Sequence, residues 1–107
     1  MTTDGSAERL HELLAGAAAA IPGTVVTAAG GSMSWALGPT VFAVLAGEVA
    51  EFRLDPVVAA AARRTPETAS SERGGDWVAF RPSTLDQYAE DRAQAWFAAA
   101  ARRAVLG

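Results

Sequence analysis

The sequence of 107 residues contains no cysteine, no lysine and no asparagine, and its single histidine is His11. Without cysteine there is no disulfide, no thiol nucleophile and no cysteine-ligated zinc site. Without lysine there is no Schiff-base chemistry and no P-loop lysine to bind nucleotide phosphates. These absences remove several large classes of enzyme, and we predict neither a cofactor nor a catalytic residue set.

Basic charge is also scarce. Nine arginines are outnumbered by twelve carboxylates, which gives a formal net charge of −3. Affinity for nucleic acid depends on neutralising phosphates, so this balance disfavours a nucleic-acid partner. The first residues lack a basic signal region, and the apolar run at 15–21 is too short to cross a bilayer. We therefore expect a cytoplasmic protein with no membrane partner.

Bulky apolar side chains are fewer than the composition suggests. Half of the residues are hydrophobic, but 26 of them are alanine. A chain of this length buries enough surface for one modest core and no second domain. The sequence predicts a single domain over residues 1–107 with few large side chains at its centre.

The pattern of apolar and turn residues predicts an α+β domain. Helical spacing favours helices over 7–20 and 83–103, and Asp55-Pro56 is typical of the start of another. Ser83 is the expected cap of the last helix, and Val105 is expected in its buried stripe. Glycine-containing turns separate four short strands, a fifth strand follows, and residues 65–75 read as a loop. The predicted order is α-β-β-β-β-α-β-α, an antiparallel sheet of about five strands with helices packed on one face. The strands are predicted at 24–28, 32–37, 40–46, 49–54 and 76–81.

The turn at Gly47 predicts how two of these strands pair. A two-residue turn places Val41, Ala43, Leu45, Ala50, Phe52 and Leu54 on one apolar face, which we assign to the helices. A second two-residue turn at Gly38-Pro39 places Trp35 beside Phe42 on the other face. A shift of one residue in that hairpin would turn Trp35 inward instead.

The second face is the candidate binding face because it has more apolar bulk than a solvated sheet normally carries. Tryptophan and arginine are enriched in binding hot spots, and aromatic rings can stack on planar ligands. The alternative is that a loop or helix covers these rings. The candidate residues are Trp35, Phe42, Glu51, Arg53, Trp77 and Arg81.

His11 is the one candidate metal ligand or general base. Glu8 and Glu12 are at helical spacing from it, so three ligands could meet on one turn. Two carboxylates and a histidine on an exposed turn are common by chance, and no nucleophile motif accompanies them. We interpret these residues as a solvated surface and predict no metal site.

Four segments resemble the MmcQ/YjbR-like family of small α+β proteins. They are TVFAVL at 40–45, EFRLDP at 51–56, RTPET at 64–68 and GGDWV at 74–78. The resemblance implies an antiparallel sheet with helices on one side, and DNA binding inferred from the fold. Residues 47–51 place Glu48 and Glu51 where that family usually has lysine, which argues against DNA binding here. A family of small luciferase-like domains shares the Gly-Trp-Val strand before the last helix.

Three functions follow as hypotheses. The first is a non-enzymatic binding domain that uses the open sheet face for a protein partner, with a homodimer as one version. The second is a DNA-binding domain in which Arg53, Arg73 and Arg81 contact phosphates. The third is a small-ligand carrier with a cavity lined by Trp35 and Trp77.

Overall fold

The computed structural model describes residues 6–106, which form three helices and six strands. Helix α2 begins at Pro56, as Asp55-Pro56 predicts. The elements in chain order are α1 (Ser6–Ala19), β1 (Thr24–Ala29), β2 (Ser32–Leu37), β3 (Thr40–Ala46), β4 (Val49–Arg53), α2 (Pro56–Ala62), β5 (Thr68–Ser71), β6 (Gly74–Phe80) and α3 (Gln87–Leu106).

The six strands form one antiparallel sheet in the order β1-β2-β3-β4-β6-β5, which confirms the α+β prediction with one strand more than expected. The additional strand, β5, lies in the predicted loop. Its residues are small and polar, with no apolar alternation to mark a strand. Pairing with β6, in which Thr68 lies opposite Phe80, holds β5 in the sheet.

The β3–β4 hairpin has the predicted register. Leu45 lies opposite Ala50 and Ala43 opposite Phe52. Gly47, in the turn, has a φ of +62°, a conformation that glycine adopts without steric cost. The four paired residues are buried, which confirms that this side of the hairpin faces the helices. We call this side the inner face and the opposite side the outer face.

The β2–β3 hairpin contains an irregularity that the sequence did not predict. Trp35 lies opposite Ala43, but the next residue, Ala36, lies opposite Val41, so Phe42 is an extra residue in β3. Such a β-bulge disrupts the alternation of side chains and re-aims one of them. Phe42 therefore points to the inner face, as Ala43 does.

The prediction that Trp35 and Phe42 lie on the open face is therefore wrong. Trp35 is 1% exposed and Phe42 is fully buried. The ring centroid of Phe97 on α3 lies 5.6 Å from that of Trp35 and 5.1 Å from that of Phe42, both edge to face. Val41, expected on the inner face, is 40% exposed because the bulge turns it outward.

All three helices pack on the inner face. Leu10 and Leu14 of α1 and Ala59 and Ala62 of α2 belong to the same buried cluster as the inner-face strand residues. Trp96 of α3 completes the cluster by packing against the rings of Phe52 and Phe80. Alanine lets the helices approach the sheet closely, while a few large rings fill the space between them.

Helix α3 begins later than predicted. Asp86 precedes its first residue, and the Asp86 Oδ1 accepts a hydrogen bond of 2.9 Å from the Ala89 N–H. This is the usual geometry of an N-cap. Ser83, expected to be the cap, donates its N–H to Glu67 Oε2 over 2.9 Å. Val105, expected in the buried stripe, is 70% exposed.

Candidate functional site

The outer face has no helix packed on it within residues 6–106. Cross-strand pairing places Ser34, Val44, Glu51, Ala79 and Ala69 side by side across five strands. Val44 is 4% exposed yet lies outside the main buried cluster. The remaining four are partly or fully exposed, so solvent reaches this surface.

Four residues of β4, β5, β6 and the β5–β6 turn form what we call the Trp77 cluster: Glu51, Ser71, Arg73 and Trp77. The Arg73 guanidinium carbon lies 5.7 Å from the centroid of the Trp77 ring. Arg73 Nε also donates a hydrogen bond to Glu51 Oε1, which accepts a second one from Ser71 Oγ over 3.0 Å. The guanidinium is therefore held between an aromatic ring and a carboxylate.

The geometry of the β5–β6 hairpin brings Arg73 back over the sheet. Ser71 lies opposite Gly74, so Glu72 and Arg73 form a two-residue turn. The Arg73 N–H donates to Ser71 Oγ over 3.1 Å, which fixes the turn. The Glu51 side chain is only 17% exposed, whereas that of Arg73 is 44% exposed. The carboxylate is thus the fixed member of the ion pair.

A cleft of about 420 Å³ adjoins this cluster on the outer face. Glu51, Glu72 and Arg73 are its charged lining residues, so acid exceeds base by one. Ser70 and Ser71 supply hydroxyl groups, and Ala79 is part of the apolar wall. The cleft can therefore donate and accept hydrogen bonds, and its charge favours a cationic group.

A second charged group lies near the start of β6. Asp76 Oδ2 accepts hydrogen bonds from Arg103 Nη1 over 2.7 Å and from Arg53 Nε over 3.4 Å. The hydrogen bond from Arg103 is the main cause that lowers the pKa of Asp76, and burial opposes it. Arg63 of the segment after α2 donates to the Gly75 carbonyl. Asp76 therefore connects the sheet to α3.

Glu67 connects the start of β5 to the segment after β6. Its φ is +67°, and its carbonyl accepts a hydrogen bond of 2.9 Å from the Arg81 N–H. Its carboxylate accepts hydrogen bonds from the side chain and the backbone N–H of Ser83, which lower its pKa. These contacts hold a backbone conformation that is uncommon for residues other than glycine.

The structure brings together only part of the predicted binding face. Glu51, Arg53 and Trp77 are partly buried on the outer face, and Arg81 is exposed directly after β6. Trp35 and Phe42 lie in the core on the opposite side of the sheet. Ser71 was not predicted, because the small polar residues of β5 carry no sequence signal for a strand.

An apolar groove of about 240 Å³ lies on the other side of the sheet, between α1 and the β1–β2 hairpin. Its lining residues include His11, Ala15, Val26 and Trp35, and no carboxylate among the described residues lines it. Trp77 does not line it, so it is not the cavity expected of the small-ligand carrier. No group of three or more metal-ligating side chains occurs within residues 6–106.

None of the helices in residues 6–106 has both the length and the apolar character needed to span a bilayer. Comparisons of the chain with protein-family models, curated proteins and solved structures find no match.

Proposed function

We propose that this chain is a non-enzymatic binding domain and that the Trp77 cluster with its cleft receives a cationic side chain of a partner protein. The observation that carries this proposal is the position of Arg73. Its guanidinium lies against the Trp77 ring and the Glu51 carboxylate. A ring face next to a carboxylate attracts a guanidinium or ammonium group, and here the chain's own arginine occupies that position.

Three features support access by a partner. Arg73 is in a turn and its side chain is 44% exposed, so it can leave the ring without disturbing the sheet. Glu51 is held by Ser71 and stays in place when Arg73 moves. The net charge of −3 and the acidic excess of the cleft attract a basic segment.

The DNA-binding hypothesis, with the family resemblance that suggests it, stays a prediction with less support. Arg53 is paired with Asp76 and Arg73 with Glu51, so phosphate would have to compete with carboxylates. Among its three proposed contacts, Arg81 is the one whose side chain has no ion pair within residues 6–106. The carrier hypothesis is weaker still, because it needs Trp35 and Trp77 in one cavity. The groove that Trp35 lines is about 240 Å³ and lacks Trp77, whereas ligand cavities are typically about 300–1,000 Å³.

The test is a calorimetric titration with a short, blocked peptide that contains one arginine. Removing the internal competitor with Arg73→Ala should tighten binding of this peptide about tenfold or more relative to wild type. Adding Glu51→Gln to that variant should abolish the gain, because the neutral amide no longer attracts a cation. Arg81→Ala is the matched control, and its affinity should equal that of wild type.

Two results would contradict the proposal. One is an affinity that does not change when Arg73 is removed. The other is an equal gain in Arg81→Ala, which would show that the peptide responds to overall charge and not to this site. A DNA duplex that binds in low salt and is lost in Arg81→Ala would favour the DNA-binding hypothesis instead.

A further inference from the structure

We propose that two copies of this chain associate through β1, so that their sheets join edge to edge around a two-fold axis. Within residues 6–106, strand β1 is the first strand in the sheet order and has a neighbour on one side only. Five of its six residues are exposed, with Val25 at 58% and Val26 at 50%. An exposed, apolar edge strand is a template for pairing with another strand.

The two edges of this sheet differ in how they are protected. Proteins block edge strands with charges, proline, bulges or very short strands. The other edge, β5, has four residues, a register shift at Ser70/Ser71, and the charged residues Glu67, Glu72 and Arg73 beside it. Strand β1 has six residues and pairs with β2 without a register shift. It therefore lacks the protection that β5 has.

The three strands at this edge of the sheet carry no charged residue. Residues 13–47, which include β1, β2 and β3, contain no Asp, Glu, Lys or Arg. The charged strand positions are on β4 and β6, at the other half of the sheet. Two copies can therefore approach through β1 without like-charge repulsion at the edge, although the chain carries a net charge of −3.

The β1–β2 turn determines which backbone groups face the free edge. Ala29 and Ser32 flank Gly30 and Gly31, whose φ values are +58° and +82°, as in a two-residue type I′ turn. The pair that closes such a turn is hydrogen-bonded, and hydrogen-bonded pairs alternate along an antiparallel ladder. Ala29, Thr27 and Val25 therefore bond to β2.

Thr24, Val26 and Ala28 consequently point their N–H and C=O groups away from β2. The Thr24 N–H already donates to the Ile21 carbonyl over 3.4 Å, which agrees with this orientation. The free edge therefore presents the N–H and C=O groups of Val26 and Ala28, together with the Thr24 carbonyl. A second strand stabilises these groups most, because each exchanges a hydrogen bond with water for one with a backbone group of that strand.

One register satisfies these groups in both copies, except for the Ala28 carbonyl, whose donor would be the Thr24 N–H already bonded to Ile21. When Val26 lies opposite Val26 of the second copy, those residues exchange two hydrogen bonds. The Ala28 N–H of each copy then donates to the Thr24 carbonyl of the other, which leaves the Thr24 bond to Ile21 intact. A two-fold axis normal to the sheet produces this pairing and keeps all helices on one side. Because the strand is self-complementary about Val26, its partner is a second copy of this chain, and two-fold homodimers are the commonest oligomers.

The first test is the molar mass in solution by light scattering. We expect wild type at twice the chain mass of 11.0 kDa, and Val26→Pro at the monomer mass. Proline is tolerated there because the Val26 N–H makes no bond to β2. Val25→Lys should weaken association at least about tenfold. Its matched control, Ala69→Lys, places the same charge on the outer face of the other edge and should leave the dimer unchanged.

The second test fixes the register. The chain has no cysteine, so Val26→Cys introduces a single thiol. Opposed residues in a hydrogen-bonded pair have Cα atoms about 5.5 Å apart, within disulfide range. Mild oxidation should give a covalent dimer at least about tenfold faster than for Ala69→Cys, because paired thiols have a high effective concentration.

Three results would overturn the inference. They are a wild-type monomer at concentrations up to about 1 mM, a dimer that persists in a folded Val26→Pro, and equal cross-linking rates for the two cysteine variants. The Trp77 cluster lies on other strands, so Arg73→Ala should leave the mass unchanged. A peptide titration without binding would therefore not contradict association through β1. A monomeric wild type would likewise not contradict the proposed binding at the Trp77 cluster.

Discussion

The two tryptophans on opposite sides of the sheet provide a direct test of the fold. Trp35 is 1% exposed and packs edge to face on Phe97, whereas Trp77 is partly exposed and its ring contacts Arg73. Replacing a buried tryptophan by alanine costs about 3–5 kcal/mol. A domain of this size has a total stability of about 5–15 kcal/mol, so Trp35→Ala removes a large part of it.

Trp77→Ala should cost much less, about 1–2 kcal/mol, because it forfeits one cation–π contact and part of its buried area. Urea unfolding followed by circular dichroism gives both free energies of unfolding. In thermal melts, Trp35→Ala should lower the midpoint by at least about 12 °C, since each kcal/mol is worth about 4–8 °C here. If Trp35→Phe is needed to keep a folded protein, it should still cost more than Trp77→Phe. A larger loss at Trp77 than at Trp35 would refute the assignment of the two faces.

Other substitutions test single features by the same unfolding measurements. The hydrogen bond from Arg103 lowers the pKa of Asp76, so its carboxylate stabilises the fold fully at pH values above the ordinary aspartate pKa. This contribution is lost as pH falls through the lowered pKa of the folded state. Asp76→Asn should therefore reduce the difference in free energy of unfolding between about pH 6 and about pH 3, and an unchanged difference would contradict this. Gly16 lies inside α1 with open space around it, so Gly16→Ala should stabilise the fold by about 0.5–1 kcal/mol. Gly47 has a φ of +62°, so Gly47→Ala should destabilise the fold by about 1–2 kcal/mol. Asp86→Ala removes the N-cap of α3 and should cost about 1 kcal/mol, with no loss expected if Ser83 were the cap.

The sequence was sufficient to predict the register of the β3–β4 hairpin because two independent signals agree there. Gly47 marks the turn, and the apolar alternation on both strands allows one register. In the β2–β3 hairpin the turn prediction was also correct, since Leu37 lies opposite Thr40 around Gly38-Pro39. The error arose further along, at Phe42. A bulge inserts one residue without changing the composition of the strand, so the alternation gives no sign of it.

The candidate site was predicted in part for a similar reason. Glu51 and Trp77 belong to strands with clear alternation, which places them on one face. The position of Arg73 depends on β5, whose residues are held by backbone pairing and not by apolar burial. Long-range pairing of a short polar strand has no local signature in the sequence. The contact between Arg73, Trp77 and Glu51 therefore required the structure.

The indole N–H signals of the three tryptophans in a ¹H–¹⁵N NMR spectrum provide the most direct test of the proposed binding face. In Arg73→Ala, titration with the arginine peptide should shift the Trp77 indole signal in a saturable way. The Trp35 and Trp96 signals should stay in place because both rings pack in the core on the inner face. Equal shifts of all three signals, or a shift of Trp35 alone, would contradict the assignment of partner binding to the outer face.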